Sequence, residues 1–411
     1  MNFLEGYQVW SGGNEAPEIY HRWAGLSVIS SLVSRRVWVE QGQDIVMANL
    51  YILLVGPAGN GKSTAMKVAR GIVRQFKDMS SPIPPKNQTW QSIVQDLGDE
   101  HQPYQKSFLN QEEKVCYAHA SMFCNEFATL LKTDPLGWVT FLTDIYDEDS
   151  YEYKIKNAPK DGKKLDYIEN PYVTFLGCMT PELTANNIQE GIITTGFSRR
   201  CIFVYSTRSH KCIPRRTTTA NQLSARDWLT KWANKLAMVQ GMFRWDDDAV
   251  EYFDTWYAKN KQLMHIITDG FLSSWLNSKN QIVIKVAMML SLSDNIDLRL
   301  RKQDVIEAIQ LIDETELHFH KIFAAAGRNP IAMISMKILT QLEQVAKPII
   351  DKQIYRDMHP HGSTDEIKEA IRHLIDTNQV AMVQNTISGT IVCRLGTPQV
   401  IQDFVAQSDA T

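Results

Sequence analysis

The sequence predicts an α/β protein in which a parallel sheet with flanking helices is followed by a helical segment and a small C-terminal unit. Three apolar runs, at residues 49–55, 172–180 and 200–205, are continuous rather than alternating, which is typical of parallel strands buried on both faces. Segments with apolar residues at helical spacing separate these runs, and strands that alternate with helices indicate an α/β sheet. Between residues 223 and 326, helical periods dominate.

The elements before residue 223 follow from local patterns taken in chain order. Helical spacing of apolar residues predicts helices, and continuous or alternating apolar residues predict strands; Thr89 is expected to cap the short helix that follows it. We expect the polar stretch at residues 98–114 to be surface. The predicted order is helix 17–34, strand 36–40, strand 49–55, helix 62–75, helix 89–97, strand 118–126, helix 135–146, strand 172–180 and strand 200–205.

The chain length bounds the number of folding units. With 411 residues, of which 44% are hydrophobic and 22% charged, the chain can bury a sizeable core and a smaller domain. We expect four segments: an N-terminal helical lead-in at residues 1–48, the sheet core at 49–222, an all-helical segment at 223–328 and the C-terminal unit at 329–411.

Composition narrows the classes of protein and partner. The first ten residues lack a basic start and an apolar run, and no stretch reaches the roughly 18 apolar residues needed to span a bilayer. We therefore expect a cytoplasmic protein without a membrane partner. The six cysteines form no C-x-x-C pair, so neither a zinc site nor a disulfide framework is indicated. A formal net charge of -3 means that any contact with DNA must come from local patches.

A glycine-rich segment lies between the first buried strand and the next helix. Residues 56–63 read Gly-Pro-Ala-Gly-Asn-Gly-Lys-Ser and match G-x-x-x-x-G-K-[ST], in which glycines let backbone N–H groups face phosphates at a helix N-terminus. Lys62 would reach the β- and γ-phosphates, and Ser63 would ligate Mg²⁺. The segment predicts a P-loop NTPase core that uses ATP and Mg²⁺. The predicted nucleotide contacts are Gly56, Pro57, Ala58, Gly59, Asn60, Gly61, Lys62, Ser63 and Thr64.

A phosphate-binding loop needs an acidic group from a second strand, and Asn125 and Glu126 end the strand at residues 118–126. The usual pair is Asp-Glu, so Asn125 stands where the metal-side aspartate is expected. We expect Glu126 to polarise the attacking water and Asn125 to hold a metal-bound water through its carbonyl. The alternative is that Glu126 only caps the next helix.

Two further positions are candidates for contact with the γ-phosphate. Thr180 follows the third strand, next to the strand of the predicted loop, where it could sense the γ-phosphate; the alternative is a helix N-cap before Pro181. Arg199 and Arg200 directly precede the last strand, and arginines at the edge of an ATPase sheet are suited to act in trans on a neighbour's nucleotide. The alternative is a surface pair bonded to carboxylates.

Residues 151–164 combine basic and aromatic side chains. Tyr151 and Tyr153 accompany five lysines, and residues 159–162 could turn a hairpin. Such a segment suits the phosphates and bases of single-stranded DNA, and a solvated hairpin is an equally good interpretation. The candidate nucleic-acid contacts are Lys154, Lys156, Lys160, Lys163 and Lys164.

The C-terminal unit has the layout of a winged helix-turn-helix. Three helices, at residues 331–345, 351–358 and 364–377, precede strands at 380–384 and 390–395. Its charges argue against binding in a groove of DNA, because residues 331–411 hold seven Lys and Arg against nine Asp and Glu, and phosphates would repel the excess negative charge. We therefore favour a packing or subunit-contact role for it.

Several short segments carry a family resemblance: residues 15–17, 49–51, 125–126, 177–181, 196–200 and 285–288, together with the phosphate-binding loop. Over about residues 5–325 the chain resembles phage and prophage P-loop ATPases, with a RecA- or AAA-like core, that are encoded with or fused to primase-polymerases. Such proteins are assigned to DNA replication as helicases or helicase-like ATPases and commonly work as rings. The resemblance implies a homo-oligomer, single-stranded DNA and other replication proteins as partners, and the host cytoplasm as location.

Three hypotheses follow. The leading one is an oligomeric ATPase motor, helicase-like, that moves on single-stranded DNA in phage replication. The second is an ATP-dependent helicase loader or initiator that remodels a protein partner, which suits the acidic winged helix better. The third is a nucleotide-gated binding module with slow turnover, motivated by Asn125. A small-molecule kinase is disfavoured because nothing in the sequence resembles an acceptor pocket or lid.

Overall fold

The computed structural model divides the chain into two compact units, Met1–Phe319 and His320–Thr411. It describes residues 1–394 with short gaps. The gaps are residues 77–81, 86–87, 100–103, 111–112, 132–133, 148, 155–164, 182–195, 208–210, 267–269, 320–321, 323–330, 332–333, 336–337, 340, 343–348, 360–362, 377–379 and 386–388.

The first unit mixes helices and strands along its whole length. Its described helices are α1 Phe3–Ser11, α2 Glu18–Val33, α3 Lys62–Val73, α4 Trp90–Leu97, α5 Phe127–Leu131, α6 Pro135–Asp147, α7 Ala220–Leu236, α8 Asp247–Ile266, α9 Gly270–Asp294 and α10 Lys302–Glu316. Its described strands are β1 Val37–Gln41, β2 Asp44–Met47, β3 Tyr51–Val55, β4 Gln105–Asn110, β5 Glu113–Cys124, β6 Ser150–Lys154, β7 Leu165–Glu169, β8 Pro171–Met179, β9 Cys201–Tyr205, β10 Gly241–Met242, β11 Arg244–Trp245 and β12 Arg299–Leu300.

A five-stranded sheet in the order β4-β5-β8-β3-β9 forms the centre of the first unit. The strands β5, β8, β3 and β9 are parallel, and β4 is antiparallel at the edge. Every residue of β3 and β8 is buried, as the continuous apolar runs predict. The predicted α/β class with a parallel sheet is therefore confirmed. Val55 lies opposite Met179 and Tyr205, so the carboxyl ends of these three strands meet at one edge.

Helix α2 packs within the core and is buried on almost all sides. Its serines are compatible with burial because they are hydrogen-bonded: Ser30 Oγ donates to the Ala48 carbonyl at 2.8 Å, and Ser31 Oγ lies 3.1 Å from Thr174 Oγ1 on β8. Tyr172 donates to the Ser30 carbonyl at 2.9 Å. Buried polar groups with partners avoid the cost of desolvation, so these contacts fix α2 against the sheet.

The structure contains strands that the sequence did not indicate. The stretch expected to be surface contributes β4, which pairs with β5, and β5 begins at Glu113 instead of residue 118. Strand β2 forms a hairpin with β1. Within the segment expected to be all-helical, β10 pairs with β1 and β11 pairs with β12. Strands β10, β11 and β12 are each two residues long, which is too short for an alternating pattern to show in a sequence.

Strands β6 and β7 form the predicted hairpin, with Ser150 opposite Glu169 and Lys154 opposite Leu165. Residues 155–164, which include the expected turn, lie outside the described part of the chain. Helix α4 begins as predicted, because Thr89 Oγ1 accepts a hydrogen bond from the Ser92 N–H at 3.2 Å. None of the helices in the described ranges is both long enough and apolar enough to cross a membrane.

The second unit has a core of aliphatic side chains beneath a small sheet. Its described elements are β13 Ile349–Ile350, α11 Asp351–Met358, α12 Thr364–Asp376, β14 Val380–Asn385 and β15 Gly389–Arg394, with strand order β13-β15-β14. Ile334, Ile354, Ile367 and Leu374 are among the residues that form its core. Two of the three predicted helices, at residues 351–358 and 364–377, and the hairpin are present, and β13 is an additional strand. The helix predicted at residues 331–345 lies only partly within the described residues.

Candidate functional site

The glycine-rich loop at residues 56–61 joins the carboxyl end of β3 to the first turn of α3. Gly59 and Gly61 have φ values of +76° and +78°, in the left-handed region that glycine adopts without strain. Gly56 is required for a different reason, because a Cβ there would lie 2.4 Å from both the Tyr20 hydroxyl and the Ser206 carbonyl oxygen. All three glycines of the loop therefore serve its shape.

Lys62 is the first residue of α3 and is only 8% exposed. Its Nζ donates to the carbonyl oxygens of Gly56 at 2.5 Å and Pro57 at 2.7 Å. The ammonium therefore lies against the loop at the positive end of the helix dipole, where an anion would be attracted. Ser63 is exposed and Thr64 is half-buried, and the Thr64 N–H donates to Gly61 at 3.0 Å.

A tyrosine from α2 braces the loop from behind. The Tyr20 hydroxyl donates to the Val55 carbonyl at 2.5 Å and accepts from Asn60 Nδ2 at 3.1 Å. The same amide nitrogen donates to the Ser206 carbonyl at 2.6 Å. Burial raises the pKa of Tyr20, so the hydroxyl stays protonated. Sequence reasoning missed this brace, because residues 20, 60 and 206 meet only in the folded chain.

The N-terminal lead-in borders the loop on another side. A Cβ on Gly61 would lie 2.7 Å from Ala16 Cα, so the two backbones are in close contact. Asn14 Oδ1 accepts from the Ala16 N–H at 3.0 Å and lies 2.9 Å from His21 Nε2. Burial lowers the pKa of His21 to about 4, with a smaller contribution from Lys211. Neutral His21 thus holds the turn that covers Gly61.

The acidic candidate lies at the same edge of the sheet as the loop. Cys124 is the last residue of β5 and pairs with Gly177, two residues before Met179 at the end of β8, and Asn125 and Glu126 directly follow Cys124. One strand separates β5 from β3, so their backbones are about 10 Å apart. Asn125 and Glu126 are both exposed.

Two cysteines, one next to the glycine-rich loop and one at the end of β5, have raised pKa values. Burial raises the pKa of Cys178 to about 12, and the charge of Lys62 acts in the opposite direction. Burial also raises the pKa of Cys124 to about 11, and Cys124 and Cys178 interact with each other. The Cys178 thiol therefore lies near the Lys62 ammonium, and the Cys124 thiol lies near Glu126. The Glu126 carbonyl accepts from the Leu130 N–H at 3.4 Å, so this residue also begins α5.

Thr180 directly follows Met179, whose carbonyl accepts a hydrogen bond from the Gly56 N–H at 3.3 Å. This contact brings the end of β8 against the start of the loop, and Thr180 is half-buried there. The structure thus places residues 56–64, Asn125, Glu126 and Thr180 at one edge of the sheet.

Arg199 and Arg200 lie at the other edge. They precede Cys201, which pairs with Tyr51 at the start of β3, and the loop follows Val55. Four residues of strand span about 13 Å, so neither arginine reaches the loop of its own chain. Arg200 Nη2 lies 2.8 Å from Asp147 Oδ2, and its Nη1 donates to the Gly196 carbonyl at 2.9 Å.

The two arginines have different surroundings. The Arg200 side chain is 14% exposed in its ion pair with Asp147, so the alternative of a carboxylate-bonded arginine holds for this residue. Arg199 is half-exposed and lines a polar cavity, and within the described residues its side chain has no ion pair. Arg199 is therefore the arginine that a partner could use.

The basic hairpin is described only in part. Lys154 is exposed at the end of β6, whereas Lys156, Lys160, Lys163 and Lys164 lie outside the described residues. The Tyr151 ring packs edge-on against Phe141 at 5.7 Å, and the Tyr153 ring against Trp90 at 5.1 Å. The two aromatic rings of this segment thus contribute to packing.

The residues at the loop edge suit a nucleotide–magnesium ligand. Across the described residues, no group of three His, Cys, Asp or Glu side chains could hold a metal ion. Mg²⁺ commonly uses one or two protein ligands together with substrate phosphates and water, which Ser63 and Asn125 could provide. No family model matches the chain, and no curated protein is significantly similar to it.

Proposed function

We propose that this chain binds ATP with Mg²⁺ at residues 56–64 and hydrolyses it. The observation that carries the proposal is the glycine-rich loop, in which left-handed Gly59 and Gly61 and the ammonium of Lys62 lie between a buried parallel strand and a helix N-terminus. Such a junction offers backbone N–H groups and positive charge to phosphates. When bound, the metal ion would neutralise developing charge on the phosphates.

The roles of the surrounding residues follow from their places at the sheet edge. Lys62 would leave the carbonyls of Gly56 and Pro57 to bind the β- and γ-phosphates. Ser63 would hold Mg²⁺ and Asn125 a metal-bound water. Glu126 would orient the attacking water, and Thr180, which follows the Met179 bonded to Gly56, would contact the γ-phosphate.

A second copy of the chain would complete the site. Arg199 lies too far from its own loop, so its guanidinium would stabilise charge on a nucleotide held by a neighbour. Arg200 would position this segment through Asp147 and Gly196 instead of touching nucleotide. A homo-oligomer, such as a ring, satisfies this requirement because each copy then donates one arginine and receives another.

The strand order supports a RecA- or AAA-like P-loop core, since β8 separates the strand of the loop from β5, which directly precedes Asn125. The described second unit, with helices α11 and α12 followed by the hairpin β14–β15, fits a winged helix. Together with the resemblance to phage replication ATPases, these features lead us to an oligomeric, helicase-like motor on single-stranded DNA. The basic hairpin would contribute the DNA contact.

Two observations favour related functions. Asn125 replaces the expected metal-side carboxylate, which favours a nucleotide-gated module with slow turnover.

On α12, Asp365 and Glu369 are exposed, and hydrogen bonds from Ser363 lower the pKa of Glu366, which keeps it ionised. This acidic surface favours a protein partner over DNA, as a helicase loader or initiator would need.

The test is the ATP turnover of the purified chain with and without single-stranded DNA, together with its mass in solution with ATP. The variants are Lys62→Ala, Glu126→Gln and Arg199→Ala, with Arg226→Ala as a control on an exposed arginine of α7. The motor is supported if the chain is an oligomer, if DNA stimulates its ATP turnover, and if the first three variants lose that turnover. ATP turnover that does not respond to DNA would favour the loader. Nucleotide binding without turnover would favour the gated module. No ATP binding at all would reject the proposal.

A further inference from the structure

A polar cavity lies at the amino ends of the parallel strands, at the opposite edge of the sheet from the glycine-rich loop. Its volume is about 460 Å³, and its walls come from the β1–β2 hairpin, the end of α6 and α9. We call it the hairpin cavity and define it by Arg35, Asp44, Asp147, Arg199, Gln281 and Lys285. Arg35 ties the cavity to the sheet, because its Nη1 donates to the Pro171 carbonyl at the start of β8 at 3.0 Å.

Lys285 is the most buried cation of the hairpin cavity. It is 2% exposed, its Nζ donates to Asn49 Oδ1 at 2.7 Å, and it lies 3.8 Å from the centre of the Tyr146 ring. Within the described residues it has no ion pair. Burial lowers the pKa of Lys285 to about 7, so its charge is poorly compensated. An ammonium has three donors, and a single acceptor leaves capacity for an added anion.

The carboxylates of the cavity are already engaged or lie at its rim. Asp147 pairs with Arg200 at 2.8 Å, and Asp149 pairs with Arg35 at 2.7 Å. Asp44 is exposed on the hairpin. Arg199, and Lys285 below a pH of about 7, therefore carry positive charge that no carboxylate pairs with in the described residues, and the side-chain amides of Asn277, Asn280 and Gln281 add neutral donors.

We propose that the hairpin cavity binds a phosphoryl group, as a second anion site separate from residues 56–64 of the same chain. A tetrahedral anion with several oxygen atoms matches cations and amide donors that approach from different walls, and charge-assisted hydrogen bonds to Lys285 and Arg199 would fix it. The phosphoryl group is either free phosphate or pyrophosphate, or the terminal phosphate of a nucleotide on a second copy. The latter source rests on the proposed function.

The experiment has two calorimetric arms that separate these sources. In the first, phosphate and pyrophosphate are titrated into the Lys62→Ala chain, in which the glycine-rich loop has lost its cation. In the second, the Lys62→Ala chain, which supplies the cavity, is titrated into a Lys285→Met chain loaded with a non-hydrolysable ATP analogue. Binding in the first arm identifies a free anion, and binding in the second arm alone identifies the neighbour's nucleotide.

In either arm, Lys285→Met or Arg199→Ala in the cavity-supplying chain should weaken binding by about tenfold or more, the effect of one charge-assisted hydrogen bond. Lys302→Met, an exposed lysine at the start of α10, should leave binding unchanged. Arg199 is half-exposed, so its variant tests the site even if Lys285→Met disturbs folding. Absence of binding in both arms, or equal binding by the Lys285→Met and Lys302→Met chains, would overturn the proposal. Arm one needs no ATP binding, so its outcome is independent of the proposed function.

Discussion

At the scale of single residues, the conformation of the glycine-rich loop depends on groups outside the motif. Tyr20 contacts the Val55 carbonyl, and Asn60 contacts both Tyr20 and the Ser206 carbonyl. The Ser206 N–H in turn donates to Val55 at 3.2 Å. This closed set of hydrogen bonds joins α2, the loop and the end of β9, so the loop is held in place before a ligand arrives.

Replacement of Tyr20 by Phe should weaken the binding of a non-hydrolysable ATP analogue several-fold, because a buried hydrogen-bond network that loses one member costs about 1–3 kcal/mol. The matched control is Tyr7→Phe, since the buried Tyr7 hydroxyl has no hydrogen-bond partner among the described residues. Calorimetric titration of both variants checks this. Equal analogue affinity of the Tyr20→Phe and wild-type chains would show that the brace does not support the loop.

His21 should make the first unit less stable in mild acid. Its pKa is about 4 in the folded chain and near 6.5 when unfolded, so between these values only the unfolded chain binds the proton, and the free energy of unfolding falls as the pH falls. The loss approaches about 3 kcal/mol at pH 4. Asn14 Oδ1 lies 2.9 Å from its Nε2, the Tyr7 ring lies beside its ring, and the charge of Lys211 also lowers its pKa.

The His21→Gln variant isolates this effect in denaturant unfolding at several pH values. Asp304 acts in the opposite direction, because burial raises its pKa to about 6 and the folded chain then gains stability as the pH falls from 6 towards 4. Asp304 is present in both chains, so its contribution cancels when the free energy of unfolding of the wild type is subtracted from that of the variant. This difference in free energy should grow as the pH falls below 6.5. A difference that stays constant with pH would contradict the lowered pKa of His21.

At the scale of elements, α9 carries a buried cation into the core of the first unit. The pKa of Lys285 is about 7 in the folded chain and about 10.5 when unfolded, so wild-type stability rises with pH above 7 and is lowest below it. Asp147 favours the charged form of this lysine, and Arg35 and Arg200 oppose it. Lys285→Met removes the pH dependence but leaves Asn49 Oδ1 without this donor.

The stability of Lys285→Met relative to wild type should therefore be greater at pH 6 than at pH 9, by about 3 kcal/mol. Denaturant unfolding at these two pH values in buffers free of phosphate measures it. Comparing one variant at two pH values removes the cost of the unpaired Asn49 from the result. If the relative stability is the same at both pH values, the lysine is not desolvated as described.

The sequence predicted elements whose pattern is local and long. Strands β3 and β8 are buried throughout, so a continuous apolar run identified them, and Thr89 marked the start of α4 through its own side chain. Strand β4 was missed because its sequence, Gln-Lys-Ser-Phe-Leu-Asn, is polar, and its pairing with β5 stabilises it. Two-residue strands such as β11 depend wholly on their partners.

The same distinction applies to the candidate site. The loop motif and the strand ends at Glu126 and Thr180 lie next to patterns that a sequence displays. Tyr20, which is distant in sequence from the loop it braces, gave no such signal. Nor could the sequence tell that Arg200 would be in an ion pair while Arg199 has none among the described residues, since this depends on where α6 brings Asp147.

At the scale of the whole molecule, the first unit presents its two candidate ATPase surfaces at opposite edges of one sheet. Residues 56–64 follow the carboxyl end of β3, and Arg199 precedes the amino end of β9. In the proposed assembly these edges would meet, and each nucleotide would then receive an arginine from the next copy. Loss of that arginine should lower turnover by about a thousandfold or more while nucleotide affinity changes little.

Mixing two inactive variants is the most direct test of this account. Lys62→Ala should lose the nucleotide, and Arg199→Ala should bind it without turnover. In a mixed oligomer, a chain with an intact loop can stand beside a chain with an intact arginine, so ATP turnover should return on mixing. Turnover by the Lys62→Ala chain alone, or full turnover by the Arg199→Ala chain alone, would contradict an ATP site built at the glycine-rich loop and completed in trans.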